Sequence, residues 1–588
     1  MPGLVGLTSL SMSGDFVGTI VCKMRDFIVH QKFHKRDPNF NGPNLCAGRV
    51  HTGIIQTAEQ PASSDGIHVW LDGEFYNQAE LRSRIKSSNT PCDDACLLRQ
   101  LYAAYPDLPF LKDIDGIYSA VIFDSRRKLV HLLIDRYGLR HLYWCPIKGG
   151  LAWASEVKAF LAIPGFSSQI DPQSVSDFFS IGYLLDDRTW FADAKLLPPG
   201  TALTFDLRAL AVRMRRYWSW GDIKLLPEGT ERREIIDELR RLFLDAVRRQ
   251  SQADEPVGIS LSGGLDSRAL LAAMPAEEHR PIHTVTFGVA GCDDIRIASQ
   301  IAHVKPAVHH VVELTSANWL LKRMAGVWYT DGQANLLHMH ALVSVEEQRK
   351  NYRVNLNGFL GDAILGGSYL FDKRWTIAEK TVQRGRRFVN EGTLLTNNFF
   401  HNRIPFFANP LMEFTCSIPE SLRAHSRIYN EMLLAAFPEF FAKIPWQTTQ
   451  LPINASRARI FAVSKLRGAK RRLAKRAPGL GLIGNATHNY HNYAVWIRQA
   501  PARSLFERML LDPSARYRDF IQASDVPLLW SEHMKGGDHS EQLCRALTFE
   551  LWLQQVNGRN LPQELLGTEP SSSRFQPQPQ EGALCELD

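Results

Sequence analysis

One short segment limits the fold of this chain more than any other: VGISLSGGLDSRALL at 257–271. An apolar strand-like run ends at Leu261, the chain turns through Ser262, Gly263 and Gly264, and a small-residue helix is predicted to open near Asp266 and Ser267. A buried strand, a glycine turn and a helix N-terminus in that order bring backbone amides to face an anion, typically phosphate. The hydroxyls of Ser262 and Ser267 add donors, and the backbone from Leu261 through Leu265 lies against the ligand. Asp266 would repel phosphate, so its predicted task is a divalent metal bridging the phosphates. No lysine follows the glycines and no GxGxxG occurs there, which sets this loop apart from the two commonest nucleotide loops.

A second loop fits the first. LNGFLGDAILGGSYL at 356–370 follows the strand-like YRVNL and places Gly358 and Asp362 in a glycine-rich turn. Asp362 reads either as a second carboxylate for the metal or as a helix cap. PIHTVTFG, HHVVEL and YRVNL alternate with helical spacings from about Arg232 onward, which predicts a mostly parallel α/β sheet covered on both faces. Before residue 200 the texture differs. GIHVWLDGEFY, GIYSAVIFD, KLVHLLIDRYG and GLAWAS are short strands with turns, an α+β pattern of layered antiparallel sheets. The predicted organisation is therefore 1–215, then 228–565 with a largely helical character beyond about 380, then a disordered tail at 566–588.

Composition excludes several classes. With 588 residues and 45% hydrophobic content the chain is too long for one ordinary core and too apolar to be disordered. Sixty-eight Lys+Arg against 61 Asp+Glu leave only +7, so nucleic-acid binding is not expected. Nine scattered cysteines without CxxC predict independent thiols and a reducing, cytoplasmic setting. The opening MPGLVGLTSLSMSGDF does not read as a signal peptide, and no run approaches the roughly 18 apolar residues of a membrane span.

Taken together, SGGLDS, LDGEFYNQAELR (71–82), DIDGIYSAVIFD (113–124), DRYGLRHLYW (135–144), WASEVKAFL (153–161) and LLPPG (196–200) resemble the asparagine synthetase family, from Met1 to about Asn409. The resemblance implies an Ntn-hydrolase-like glutaminase sandwich followed by an ATP-pyrophosphatase domain, with ATP and Mg²⁺ as cofactors. It places Val285, Thr286 and Phe287 beside adenosine, with Gly288 allowing the base to approach. Asp294 falls at an acidic position near the family's active site, although it also reads as a helix N-cap. Lys443 is the candidate for neutralising the departing phosphate, with Lys465 as the alternative. Arg403 reads as support for helix packing or as a salt-bridge partner.

The departures narrow the function. The family's glutaminase nucleophile is a cysteine after the initiator methionine, and here that position is Pro2, which offers no thiolate. Arg49, Asp72, Gly73, Glu74 and Asp93 or Asp94 then read as remnants of a glutamine pocket that preserve the fold. Phe359 stands where the family has a glutamate and its β-lactam-forming relatives a tyrosine. Proton abstraction must fall to another residue, the substrate or the released phosphate. SGGLDS followed by Arg268 resembles the lasso-peptide macrolactam synthetases. That branch implies adenylation of an Asp or Glu side chain in a precursor peptide and attack by the peptide's own N-terminal amine. Its partners would be the precursor peptide, a leader peptidase and a leader-recognition protein. The alternatives are an amide ligase or amidotransferase acting on a small molecule with free ammonia or another amine, and a retired scaffold.

Three features stay open. The basic stretch 457–478 reads as a solvated helix and loop, or as a lid or a surface for an acidic partner. RIPFFANPLMEF reads as core or as substrate lining. His488 and His491 read as loop histidines rather than a metal pair, since no third ligand accompanies them.

Overall fold

The computed structural model describes residues 2–85, 92–275, 281–370, 375–476, 489–522 and 524–558; within 470–476 it describes the backbone only. The tail at 566–588 and His488 lie outside the described residues.

The N-terminal part is two antiparallel sheets packed face to face between helices. One sheet runs in the order Lys195–Leu196, Tyr143–Ile147, Gly150–Ala154, Gly3–Ser9, Leu45–His51, Lys35–Arg36, with Phe40–Asn41 also paired to Leu45–His51. The other runs Ala211–Arg216, Thr201–Asp206, Leu129–Ile134, Gly116–Asp124, Ile67–Phe75, Ala62–Ser64. Strand alternation decides which layer each residue enters. Leu4 and Trp153 point between the sheets with Trp70, Val121 and Leu203. Their neighbours Val5, Leu7, Ala152 and Ala154 point outward, under Val17, Ile20, Val21 and Met24 of the helix Gly14–Phe27. On the other side the helix Asp94–Ala104 lays Leu97, Leu98 and Leu101 on Val69, Leu71 and Ile122.

Strand Ala211–Arg216 closes this part, and helix Arg232–Ser251 opens the next. That helix buries Ile235, Leu239, Leu242, Phe243, Ala246 and Val247, the three-and-four spacing of a core-facing stripe. It covers a five-stranded parallel sheet in the order Ala307–Glu313, Ile282–Gly288, Val257–Ser260, Val354–Leu356, His401–Arg403. Read in chain order the strands are 3-2-1-4-5, so the winding reverses between Val257–Ser260 and Val354–Leu356. A crevice at the carboxyl ends of those two strands is the natural ligand site of such a sheet. Both glycine-rich loops leave the sheet there.

The two parts share a core. One buried cluster joins Phe178 and Trp190 of the sandwich to Trp328, Tyr493 and Trp552. The helix Ser540–Gly558 is buried on most of its circumference, and its Phe549 packs on both Trp190 and Phe179. The WASEVKAFL motif finds its structural use at the same seam. Lys158 is fully buried, bonds Asp331 and the Trp328 carbonyl, and is paired with Glu156. Of the segment RIPFFANPLMEF, Phe406 and Phe407 are core residues, stacked on Phe243 and packed on Tyr137. Among the described residues, no helix is long and apolar enough to cross a membrane.

Candidate functional site

A cavity of about 520 Å³ opens at the strand reversal and is bounded by both loops. Leu261, Ser262, Gly264, Leu265, Asp266 and Ser267 line one side, Gly358, Phe359 and Asp362 the other, and Val285 and Phe287 a third. The phosphate loop is held in shape by its own hydroxyls. The Ser262 N–H donates to Ser267 Oγ at 3.1 Å, and the Gly264 N–H to Ser262 Oγ at 3.2 Å. Helix Asp266–Ala273 starts at that turn, so its unpaired N–H groups face the same space.

The two loops meet at Asp266. Its Oδ2 accepts from the Asp362 N–H at 2.7 Å and its Oδ1 from the Tyr429 hydroxyl at 2.9 Å. Gly361 allows this approach, because a Cβ there would stand 2.7 Å from Asp266 Cγ. Burial, helped by the nearby Asp362 charge, pushes the Asp266 carboxyl up to about 7, and burial raises Asp362 as well. Two neighbouring carboxyls that are both hard to ionise form an oxygen-only donor pair that a hard divalent cation would relieve. The residues present therefore fit a divalent cation such as Mg²⁺, which Asp266 and Asp362 would hold.

Asp294 sits behind the phosphate loop rather than on the cavity wall. Its Oδ1 accepts from the Gly263 N–H at 2.9 Å and its Oδ2 from Gln447 Nε2 at 2.6 Å, and burial raises its carboxyl. The cap position of its helix belongs to Cys292, with Asp294 inside the first turn. Arg268 clamps the loop from below. Its guanidinium donates to the carbonyls of Gly263, Phe440, Ile444 and Pro445. Burial lowers Arg268 only to about 10, so it stays charged near neutrality. Trp446, Gln447 and Thr448 thereby become a wall of the cavity.

Other sequence expectations land differently. Lys443 is exposed and off the cavity wall, because its neighbours Phe441 and Ile444 take the buried positions of that segment. Lys465 is exposed over Phe461 on helix Arg457–Arg476. Thr286 turns away from the cavity and donates to the Leu261 carbonyl at 2.7 Å. The space over Gly288 is filled by Cys292 Sγ and Tyr490, so that glycine makes room for protein rather than for a base. His491 stacks on Tyr493 at 4.0 Å. Arg403 belongs to a strand, not a helix, and makes the salt bridge that was one of its two readings.

The sequence reading missed the polar wall. Asn355, Asn357 and Asn402 line the cavity together with Thr393 and Gln348. Asn355 Nδ2 donates to Asn402 Oδ1 at 2.8 Å, and Asn355 Oδ1 accepts from the Ser260 N–H at 2.9 Å. Asn355 and Asn357 carried a signal, since polar residues at alternate positions of a buried strand point into one space. Tyr429, far away in the chain, carried none.

The residues that the resemblance places around glutamine divide between two cavities, with Glu74 and Asp94 on one of about 600 Å³ that Arg403 also lines. Pro2, Arg49, Asp72, Gly73, Arg140 and His401 surround only about 20 Å³, room for roughly one water. Arg49 is spent on Asp37 at 2.6 Å and on the carbonyls of Gln56 and Ala58. Asp94 accepts from the Phe75 N–H and Gln56 Nε2, and burial pushes it up to about 7. Asp93 caps its helix through the Cys96 N–H. Glu74 is bound on both oxygens by Arg403 at 2.7 and 2.8 Å, and His401 reaches Oε1 at 2.7 Å.

Two family models match separate parts of the chain. A family described as glutamine amidotransferase domain matches residues 1–218, and one described as asparagine synthase matches 238–401. Glutamine-hydrolyzing asparagine synthetase 2 of Bacillus subtilis is 26% identical over 451 residues, 63% of this chain and 60% of that protein. A putative asparagine synthetase of Methanocaldococcus jannaschii is 25% identical over 354 residues, covering 56% and 68%. Amidase chyE of Penicillium rubens is 27% identical over 310 residues, covering 48% and 45%. The match to the Bacillus protein thus spans less than two thirds of its length. Among solved structures, the Bacillus subtilis glutamine phosphoribosylpyrophosphate amidotransferase covers 53% of this chain and 81% of its own at 11% identity, with a TM-score of 0.27.

Proposed function

We propose that this chain, which joins a glutaminase-like and a synthetase-like domain in the order of an asparagine-synthetase-like family, is an ATP-dependent amide-forming ligase whose amine does not come from glutamine. A carboxylate oxygen of the substrate attacks the α-phosphorus of ATP, the bond to the β-phosphate breaks, and pyrophosphate leaves toward the phosphate loop. The amine nitrogen then attacks the acyl carbon, gives up a proton, and AMP departs. Mg²⁺ bound at Asp266 and Asp362 would neutralise charge on the departing pyrophosphate. Ser262, Ser267 and the loop amides bind that anion, and Arg268 and Asp294 keep the loop in register. Phe359, 5.2 Å from Phe407, adds no proton acceptor to the acceptor side.

The observation that carries this reading is the contrast between an open cavity bearing Asp266 and Asp362 and the roughly 20 Å³ left beside Pro2, where a glutamine-hydrolysing enzyme would need its nucleophile and its substrate. The relatives' printed names, glutamine-hydrolyzing asparagine synthetases, favour a small carboxylate substrate, whereas the departure from glutamine as nitrogen source rests on Pro2 in this chain. Ring closure within a precursor peptide is the second reading, favoured by Arg268 after SGGLDS and by the apolar Phe359. Purified protein with ATP, Mg²⁺ and a panel of carboxylates should release AMP and pyrophosphate when ammonium or another amine is supplied. Glutamine as the sole nitrogen source should give no amide. Glutamine-supported turnover with glutamate release would overturn the proposal. A precursor peptide that loses one water with no added amine would select the second reading.

A further inference from the structure

The glutamine-pocket remnants raise a question that loss of activity does not answer: what Glu74 does, buried at the seam between the two parts. Its partners are the first and third residues of the strand His401–Arg403, the edge of the parallel sheet. Successive strand residues face opposite sides. His401 and Arg403 therefore point toward the amidotransferase-like part, where His401 lines the small cavity beside Pro2 and Arg403 lines, with Glu74, a separate one of about 600 Å³, while Asn402 points into the cavity between the two glycine-rich loops.

The bonds on the pocket side form a closed set. Arg403 gives Glu74 two donors and uses its remaining nitrogen on the carbonyls of Gln250 and Gln252, at 2.9 and 2.7 Å. The Arg403 and His401 partners outweigh burial and hold the Glu74 carboxyl well below the usual carboxylate range. Burial lowers His401, so near neutrality it is uncharged. The Arg140 guanidinium donates to its Nδ1 at 3.0 Å, which leaves Nε2–H to donate to Glu74.

On the cavity side, Asn402 Oδ1 accepts from Asn355 Nδ2 at 2.8 Å and Asn357 Nδ2 at 3.3 Å, and the Arg403 carbonyl accepts from the Asn357 N–H at 2.8 Å. Asn357 begins the loop that carries Gly358, Phe359 and Asp362. A three-residue edge strand has too few ladder bonds to fix its own position, so its outward side chains must do so.

We propose that Glu74 is a positioning residue for the acceptor side of the synthetase cavity: through Arg403 and His401 it fixes the strand that sets Asn402 and, with it, Asn357. The amidotransferase-like domain thus serves the ligase site as a mechanical clamp and not as a source of ammonia. The effect on turnover rests on the ligase reading, whereas the clamp itself does not.

The test uses the full chain as Glu74→Gln, Asn402→Ala and the double variant. Glu74→Gln keeps the size and one acceptor but loses the charge on three buried hydrogen bonds. In the nucleotide-free protein, amide exchange at 354–357 and 401–403 should rise about 10-fold in Glu74→Gln, with the distant helix Gly14–Phe27 unchanged. In turnover, KM for the carboxylate or amine should rise about 10-fold with KM for ATP held within about twofold. The double variant should be no worse than the more damaged single one. Unchanged exchange at those strands would overturn the clamp. Multiplying effects in the double variant, or equal loss in every kinetic parameter, would overturn its link to the acceptor side. If the wild-type chain forms no AMP with any carboxylate, the ligase reading fails while the exchange comparison still decides the clamp.

Discussion

Two regions of the chain, the one that the resemblance assigns to glutamine and the one that it assigns to ATP, differ in how their side chains are paired. Around the first, the charged groups are taken up by protein partners, Arg49 by Asp37, Glu74 by Arg403 and Asp94 Oδ2 by the Phe75 amide, with Asp94 Oδ1 left without a hydrogen bond. In the phosphate-loop cavity the charged groups are left in a costly arrangement, with Asp266 and Asp362 side by side and both raised. A site that has lost its ligand relaxes toward self-satisfaction, because an unpaired buried charge is expensive. A site that still awaits one keeps strain that only the ligand relieves. On the proposed reading the first region has lost its ligand and the second keeps one.

The largest expected effect comes from breaking the working side. Asp266→Asn should reduce AMP formation by about 10³-fold or more, because the cation loses a charged ligand where pyrophosphate departs. The variant should fold normally and melt no lower than wild type, since one of two opposed carboxyls is gone. A variant that retained near-wild-type AMP release would show that the cation sits elsewhere.

Asp294→Ala tests the loop rather than the metal. It removes the acceptor of the Gly263 amide and of Gln447, a charge-assisted pair whose loss should raise KM for ATP about 10-fold to 100-fold. Stopped-flow measurement of nucleotide binding would check whether the loss lies in binding. A drop in kcat at unchanged KM for ATP would instead make Asp294 a participant in chemistry.

How much of this was readable from the sequence depends on how local each feature is. The phosphate loop was, because strand, glycine turn and helix start lie within one continuous stretch. The pairing of Asp266 with Asp362 was also readable, since two glycine loops leaving neighbouring parallel strands must meet. The strand His401–Arg403 was not. It is three residues of polar sequence inside a region of helical texture, and only its partners Glu74 and Arg140 make it a strand worth having. Tyr429 reaches Asp266 across 163 residues from a helix whose pattern reads as ordinary core. Lys443 was placed by loose resemblance alone, and the burial of Phe441 and Ile444 turns it outward.

A smaller effect sharpens the retired side. Burial holds Asp94 at about 7, above its unfolded value near 3.9. A carboxyl raised on folding favours the native state while protonated, so its contribution is intact below about pH 4 and is lost as pH climbs toward 7. Asp94→Asn should therefore leave the melting temperature unchanged near pH 4 and raise it by a few degrees at pH 8. An equal shift at both pH values would mean that packing, not ionisation, sets the effect.

The smallest expected effect is none at all, and it tests directly whether the space beside Pro2 can receive glutamine. Pro2→Cys restores the residue type of the missing nucleophile at the position where the family carries it. Glutamine still needs a place beside that thiol, and the pocket around Pro2, Arg49 and Asp72 holds only about 20 Å³. Arg49 would have to abandon Asp37, and Glu74 would have to abandon Arg403, before either could receive the substrate. Each exchange leaves a buried charge unpaired, at about 3–5 kcal/mol, more than the new contacts of a small ligand return. Glutamate release by the Pro2→Cys chain should stay at the wild-type background at any glutamine concentration. Hydrolysis above that background would show that the self-filled pocket opens readily, and that the missing thiol alone had silenced it.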